Sequence, residues 1–362
     1  MADRNEAGSA TMAEPAANAR LLGQEAAEAA FLTAWQSGRL AHGWLLAGPR
    51  GIGKETLAFR IARFVLSGGR SSSLDMAPDV SLFRRVAAGG HSDLFVLARQ
   101  INEKTGKRRG EIVIDDARAL CEFLSLTPGE GAWRVAIVDG AEDMNRNAAN
   151  AVLKVLEEPS PNTLLLLVSH APGRLLPTIR SRCWHLPMRP LNEPTLIQVI
   201  EPLLAGLTPE DRATLIALSD GSPGRAAGLV AAGGLDFSRE VLGLVNALPA
   251  FDAARVNALG ERLSAGEEGT ERFRLVGELL LAFVARLVRR IALEGDAAVA
   301  QGAPTEESAL AERLGGRGRD LDQWIEVWDN LRRLFARAEA LDLERRQTLI
   351  GAFGALERAA RG

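Results

Sequence analysis

The sequence predicts an α/β protein with a parallel β-sheet, followed by an all-helical part. The first observation is a pair of short apolar runs, at residues 135–138 and 164–168, typical of strands buried on both faces of a parallel sheet. The second is that helix-like segments alternate with apolar runs through the first half of the chain. The third is that strand signals end at a proline-containing stretch, residues 187–194.

Composition places the chain among folded globular proteins. The 362 residues suffice for two or three domains, and the 47% of hydrophobic residues excludes disorder of the whole chain. The formal net charge of −3 excludes a strongly basic nucleic-acid-coating protein. The 2 cysteines exclude a disulfide framework and a cysteine-based zinc site, and they fit a reducing cytosol. Apolar runs are too short to span a bilayer, and residues 1–18 lack the apolar core of a signal peptide. We therefore expect a cytoplasmic protein with no membrane partner.

The predicted elements begin after an Ala-rich segment, residues 1–19, which we expect to be a mobile tail. Good helix formers predict a helix at residues 25–36. The apolar run at residues 43–47 predicts a buried strand, and apolar residues at helical spacing predict a helix at 57–66.

The next stretch is harder to assign. Residues 68–90 are rich in Gly and Ser and predict a loop with one short helix. Strands are predicted at residues 93–98 and 111–114, around a polar hairpin at 102–110. The hairpin is basic, so contact with DNA phosphates stands as an alternative to a solvated loop.

Two helices complete the α/β part. Asp115 or Asp116 can cap a helix that continues to Leu126. Residues 146–158 predict a helix that ends before Pro159.

The second half of the chain predicts helices only. Three short ones fit residues 193–201, 209–219 and 223–232, and several longer ones fit residues 236–362. One longer helix has an apolar stripe, formed by Val276, Leu280, Phe283, Leu287 and Ile291. Periodicity alone does not decide whether such a stripe is core or subunit interface.

A phosphate-binding loop is predicted directly after the strand at 43–47. Gly48, Gly53 and Lys54 fit the first seven positions of G-x-x-x-x-G-K-[ST], with Gly51 inside the loop. Glycines let the backbone wrap around phosphates, the helix N-terminus supplies positive potential, and Lys54 reaches the outer phosphates.

The eighth position of the motif departs from the pattern. Glu55 stands where a Ser or Thr hydroxyl would bind Mg²⁺, and Thr56 comes one place late, rotated by about 100° along the helix. A carboxylate near the β- and γ-phosphates repels them unless a metal intervenes. We therefore expect weak binding of ATP or ADP. Bound Mg²⁺ would lack its usual hydroxyl ligand and is not expected to be held firmly.

An acidic residue follows the strand predicted at 135–138. Asp139 occupies the place of the metal-binding Asp of P-loop ATPases. In an active ATPase of the related class, that Asp is followed by a Glu that polarises water. Here Gly140 follows, and Glu142 comes two residues later. Hydrolysis at this chain's own site therefore lacks its expected base.

Three stretches together resemble the clamp-loader branch of the AAA+ family. They are residues 139–145, residues 150–159, which contain the motif Leu-Lys-Val-Leu-Glu-Glu-Pro, and residues 179–183, which contain the motif Ser-Arg-Cys. The chain is most similar to the delta-prime subunits of bacterial DNA polymerase III. The altered loop and the missing Glu set it apart from the ATP-hydrolysing gamma/tau subunits. Residues 341–348 also resemble the delta-prime collar.

The resemblance implies a division into three parts after the tail. These are an AAA+ core at residues 20–187, a small helical lid at 188–234 and a helical collar for oligomerisation at 235–362. It also implies gamma/tau and delta clamp-loader subunits, the sliding clamp and, through the complex, primed DNA as partners.

The resemblance further assigns roles to three residues. Arg182 would be an arginine finger that stabilises charge on the γ-phosphate held by a neighbouring subunit, with a local ion pair as the alternative. Ser169 occupies the sensor-1 position. Arg225 lies in the sensor-2 region, where a solvated helix arginine fits equally well.

No metal site is predicted. Many relatives carry a four-cysteine zinc module after the P-loop helix, but residues 67–90 contain no cysteine. The four histidines lack the spacing of metal ligands.

Two other functions are alternatives to a non-hydrolysing clamp-loader subunit. An active ATPase of the gamma/tau type needs Ser or Thr at position 55 and Glu at position 140. A P-loop phosphotransferase requires neither the Ser-Arg-Cys motif nor the helical second half of the chain, so this function leaves both features unexplained.

Overall fold

The computed structural model describes residues 12–101, 109–263, 266–292, 321–341 and 343–361. The chain divides into two compact units. The first consists of Met1–Val199 and Gly221–Gly224, and the second of Ile200–Asp220 and Arg225–Gly362. The division into core, lid and collar at residues 187 and 234 stays a prediction.

The first unit contains a five-stranded parallel sheet. Its strands are β1 Gly43–Ala47, β2 Leu94–Leu97, β3 Arg134–Asp139, β4 Thr163–Ser169 and β5 Trp184–Pro187. Their order across the sheet is β2-β3-β4-β1-β5, and all neighbours are parallel. Strands β1, β3 and β4 are interior and almost completely buried, which explains their continuous apolar sequences. The predicted α/β class with a parallel sheet is confirmed.

Helices cover both faces of this sheet. They are α1 Glu25–Gln36, α2 Lys54–Leu66, α3 Ser81–Ala87, α4 Ile114–Ser125, α5 Arg146–Glu157 and α6 Pro177–Arg180. Alternate strand residues point to opposite faces. Trp44 and Leu46 therefore join the core cluster of α1 and α2, while Leu45 joins the cluster of α4 and α5.

Residues 12–19, expected to belong to a mobile tail, are packed against α2. Pro15–Ala17 forms a 3-10 turn. The Arg63 guanidinium, which is almost completely buried, donates to Ala16 O at 2.8 Å and to Asn18 O at 2.9 Å. A buried guanidinium needs acceptors, and these carbonyls supply them to its two terminal nitrogens. Residues 1–11 of the predicted tail lie outside the described residues.

The strand predicted at residues 111–114 is wrong. Ile112 forms a single parallel bridge with Met144, and Ile114 begins helix α4. Asp116 Oδ2 accepts a hydrogen bond from Val113 N at 3.2 Å, so this carboxylate caps the helix from inside its first turn. Asp115 is therefore not the cap. Residues 102–108 of the predicted hairpin lie outside the described residues.

Strand β5 was not predicted, because prolines near its end made residues 187–194 resemble a linker. It pairs with β1 alone and forms an edge of the sheet. Pro187 is its last residue, a place where the missing N–H of proline is tolerated.

The described residues of the second unit contain helices and no strands. Helix α7 Glu193–Leu204 includes the boundary between the units. The others are α8 Pro209–Ser219, α9 Pro223–Ala231, α10 Gly234–Val245, α11 Ala253–Arg262, α12 Gly266–Ala292, α13 Leu321–Ala340 and α14 Arg345–Arg361. The predicted stripe on α12 is core, since Val276, Leu280, Phe283 and Leu287 are buried in one cluster shared by α10 to α14. Across the described ranges, no helix combines the length and hydrophobicity needed to cross a membrane.

Candidate functional site

The predicted phosphate-binding loop lies at the carboxyl edge of the sheet, between β1 and α2. Ala47, the last residue of β1, is paired with Ser169 at the end of β4. Val168 of β4 is paired with Asp139 at the end of β3. Gly48 N donates to Ser169 O at 3.3 Å. The fold therefore brings the loop, Asp139 and Ser169 to one place.

Two loop positions require glycine. Gly53 precedes α2 with a φ of +97°, in the region that side chains disfavour, and an added Cβ would lie 2.6 Å from Leu21 Cδ1. At Gly48, an added Cβ would lie 2.4 Å from Met188 O. Packing against Leu21 and Met188 therefore leaves no space for a side chain at either position.

The tip of the loop is contacted by residues around the start of α9. Ser222 Oγ donates to Arg50 O at 2.8 Å, and Gly224 N donates to Gly51 O at 2.9 Å. A Cβ on Gly224 would lie 2.7 Å from Gly51 Cα, so this contact depends on glycine at both positions. Two of the loop carbonyls are thereby held in fixed orientations.

Lys54 is held inside the loop. Its side chain is buried, and Nζ donates to Gly48 O at 2.7 Å and to Pro49 O. Burial lowers the pKa of Lys54 to about 8, although the nearby Glu142 and Asp139 carboxylates act to raise it. The ammonium that would reach a phosphate therefore already faces two carboxylates.

Glu142 belongs to the site and was not predicted as a site residue. It is buried, and its Oε1 accepts a hydrogen bond from His170 N at 3.0 Å. Burial acts to raise the pKa of Glu142, but its own amide, the Ser169 hydroxyl and the His170 amide together lower that pKa by more. The carboxylate is therefore ionised at neutral pH. A 3-10 turn, Ala141–Asp143, carries Glu142 back to the sheet edge. Spacing along the sequence gave no sign of this turn.

His170 also lies in the site. Burial, with a contribution from the positive charge of Lys54, lowers the pKa of His170 to about 4. The ring is therefore neutral at physiological pH. Its position one residue after Ser169 was the only signal in the sequence.

The residues around the eighth motif position are split between solvent and core. Glu55 is partly exposed in the first turn of α2, whereas Thr56 is buried. The chain thus offers no hydroxyl at the motif position that would bind Mg²⁺. Within the described ranges, no three His, Cys, Asp or Glu side chains are grouped so as to hold a metal ion. The expected lack of zinc stays a prediction.

Arg182 lies at the amino ends of the strands, whereas the loop lies at their carboxyl ends. It comes just before β5, beside Gly43, which is the first residue of β1. A Cβ added to Gly43 would lie 3.7 Å from the Arg182 carbonyl oxygen. The five residues of β1 span about 15 Å between that end and the loop. Arg182 therefore does not belong to its own chain's phosphate-binding site.

The guanidinium of Arg182 makes the local ion pair that the sequence left as an alternative. Its Nη2 lies 2.8 Å from Glu157 Oε1, and Nη1 donates to Thr178 O at 3.1 Å. The side chain is nevertheless 38% exposed. Arg225 lies in α9, where the second unit resumes, so its assignment to the sensor-2 region stays a prediction.

Known proteins resemble about half of this chain. Residues 23–192 match the family model described as DNA polymerase III, delta subunit. The DNA polymerase III subunit delta' of Pseudomonas aeruginosa is 40% identical over 183 residues, 51% of this chain and 54% of the relative. The subunit delta' of Bacillus subtilis is 35% identical over 156 residues, 42% and 44% of the two chains. The subunit gamma/tau of Mycobacterium tuberculosis H37Rv is 32% identical over 191 residues, 50% and 30% of the two chains.

These matches confirm the resemblance to delta-prime subunits predicted from the sequence. The chain spans about half the length of the delta-prime relatives it matches. The matched family segment includes the loop, Asp139, Ser169 and Arg182, but ends before Arg225 and the long helices.

Proposed function

We propose that this chain is a delta-prime-type subunit of a bacterial DNA polymerase III clamp loader, that it does not hydrolyse ATP, and that it supplies Arg182 to an ATP site on a neighbouring subunit. Its partners would be the gamma/tau and delta subunits, the sliding clamp and, through the complex, primed DNA. The proposal includes a cytoplasmic location. The named delta-prime and gamma/tau relatives support its placement in this complex.

One observation carries the proposal: Arg182 lies beside the first residue of strand β1, and the chain's own predicted phosphate-binding loop follows the last residue of that strand. An exposed arginine so placed can reach a nucleotide only on another chain. A planar guanidinium can stabilise the charge that develops on a transferring γ-phosphoryl group. Replacing Arg182 in an assembled loader tests this directly, because hydrolysis at the neighbouring site should slow while assembly persists.

The chain's own loop carries the motif glycines Gly48 and Gly53 and, in Lys54, a cation of the kind that binds phosphate. The surroundings are unfavourable for a triphosphate, however. The nearby Glu142 and Asp139 carboxylates already attract the charge of Lys54. Glu55 adds a carboxylate in the first turn of α2. We therefore propose weak ATP or ADP binding with poorly held Mg²⁺, and no turnover.

An active ATPase of the gamma/tau type is the second candidate. The 32% identity to gamma/tau favours it, and so does the buried, ionised Glu142 beside Lys54. Against it, Gly140 stands where the water-polarising Glu is expected, and Glu142 Oε1 is already engaged by the His170 amide. A phosphotransferase activity has no comparable support.

Glu55→Thr is expected to strengthen Mg²⁺-dependent ATP binding by about tenfold, or about 1.4 kcal/mol. The change removes a carboxylate from the phosphates and places a hydroxyl at the motif position. Titration of the pure protein with fluorescent ATP, with and without Mg²⁺, measures the effect. Glu122→Thr, which removes an exposed carboxylate from α4, is the matched control. If both variants bind like wild type, Glu55 is not the obstacle.

A further inference from the structure

The ion pair between Arg182 and Glu157 holds the proposed finger in a defined place. The two terminal nitrogens of Arg182 contact Glu157 Oε1 and Thr178 O, at 2.8 and 3.1 Å. Two contacts from one planar group fix its direction as well as its position. Both side chains stay accessible, at 38% and 43% exposure, so the group can meet another chain.

The backbone beneath this pair is anchored at one point of the sheet. Leu156 and Cys183, the immediate neighbours of Glu157 and Arg182, are both buried. Both pack against Gly43, where an added Cβ would lie 2.5 Å from Leu156 Cδ2 and 3.4 Å from Cys183 Sγ. The carboxylate and the guanidinium are therefore brought together by packing at the start of β1.

His42 strengthens this anchor. Its Nε2 donates to Leu156 O at 2.8 Å, which fixes the last turn of α5. The end of α5 is thus tied to the residue that precedes β1.

The placement of Glu157 runs against helix electrostatics. Glu157 is the last residue of α5, where free carbonyl groups already give the helix end a negative potential. A carboxylate at this position is unfavourable unless a cation compensates it, and the Arg182 guanidinium does so. Glu158, the next residue, is exposed and lies outside the pair, so the pairing is specific to one of two adjacent carboxylates.

We propose that Glu157 is a positioning residue for Arg182: it orients the guanidinium toward the nucleotide of the neighbouring subunit. This inference rests on the proposed function of Arg182. Exposed ion pairs contribute little to stability, so Glu157 can hold the arginine without locking it and can release it to a phosphate oxygen. Its removal should affect hydrolysis rate and leave folding unchanged.

The test is ATP hydrolysis by a clamp loader assembled from this chain and its gamma/tau and delta subunits, stimulated by clamp and primed DNA. Glu157→Gln should lower the maximal rate by about threefold to tenfold, because a misplaced catalytic group loses part of its effect. The ATP concentration that gives half the maximal rate should not change. The matched control, Glu158→Gln, removes the same charge and should behave like wild type. In an Arg182→Ala background, Glu157→Gln should have no further effect.

The outcomes separate this inference from the function on which it rests. If Arg182→Ala slows hydrolysis but Glu157→Gln does not differ from Glu158→Gln, the positioning role is wrong and the proposed function stands. If Arg182→Ala also has no effect, the proposed function fails. Additive effects in the double variant, or loss of folding or assembly in Glu157→Gln, would assign Glu157 a role independent of Arg182 and overturn the inference.

Discussion

A clamp loader that carries Arg182→Ala is expected to assemble normally and to hydrolyse ATP far more slowly at the adjoining gamma/tau site. Arginine fingers contribute factors of about 10³–10⁵ to the rate at one site. Because the other ATP sites of the ring still hydrolyse ATP, the total steady-state rate should fall by less than the rate at the one affected site. Clamp loading onto primed DNA should fall with it.

Arg182→Lys is expected to restore little of this activity. A lysine ammonium is a point charge and lacks the planar fork with which a guanidinium binds two oxygens. The contacts of Arg182 with both Glu157 Oε1 and Thr178 O depend on that fork.

The measurement is the clamp- and DNA-stimulated ATPase rate of the reassembled loader, with assembly followed by size-exclusion chromatography. Arg174→Ala, which removes another exposed arginine of the first unit, is the control for loss of charge. An unchanged rate for Arg182→Ala in a normally assembled loader would leave Arg182 as a structural residue.

Asp93→Ala is expected to destabilise the first unit by about 3–5 kcal/mol, the usual cost of breaking a buried ion pair by removing one partner. The Asp93 side chain is completely buried and lies 3.7 Å from Nη2 of the buried Arg134. It also accepts three backbone hydrogen bonds, at 2.7, 2.8 and 3.2 Å, from Gly129, Glu130 and Gly131. Asp93→Asn should cost less, because one oxygen acceptor remains.

Asp93 also makes this unit sensitive to acid. Burial raises the pKa of Asp93, but the three amides and Arg134 lower it more, so it lies below its ordinary value of 3.8. A carboxyl group whose pKa is lower in the folded state stabilises that state above the unfolded pKa. This contribution is lost as the pH falls through the folded pKa. Asp93→Ala should remove that part of the acid dependence.

Hydrogen exchange is the suitable measurement, because the chain has two compact units and a single melting temperature would combine them. The amides of residues 129–131 should lose protection in Asp93→Ala. Asp79→Ala, at an exposed position, is the control. Equal protection in the two variants would show that Asp93 is not required to hold this loop.

The parts of the site that follow local sequence rules could be predicted. Gly48, Gly53 and Lys54 form a loop whose spacing is set by its own backbone. Asp139 and Ser169 end strands, and the ends of neighbouring parallel strands meet at one edge of the sheet. The loop required only its own motif and Asp139 only the apolar run before it, whereas the role of Ser169 was implied by the family resemblance.

The parts that depend on distant contacts could not be predicted. Glu142 reaches the site through a 3-10 turn and is held by the amide of His170, 28 residues away. Strand β5 pairs with β1, and this long-range pairing could not be inferred from four residues that end at the first proline of a predicted linker. At residues 111–114, the cap from Asp116 outweighed β-propensity.

The ATP turnover of the isolated chain tests the central claim most directly. The claim is that this chain lacks the means to hydrolyse ATP and acts on its neighbour instead. Steady-state hydrolysis is measured with Mg²⁺, with and without primed DNA, and Lys54→Ala sets the background rate. We expect wild-type chain and Lys54→Ala to give the same rate. Mg²⁺-dependent turnover by the wild-type chain that Lys54→Ala abolishes and Arg182→Ala leaves unchanged would contradict the claim and make this chain an ATPase in its own right.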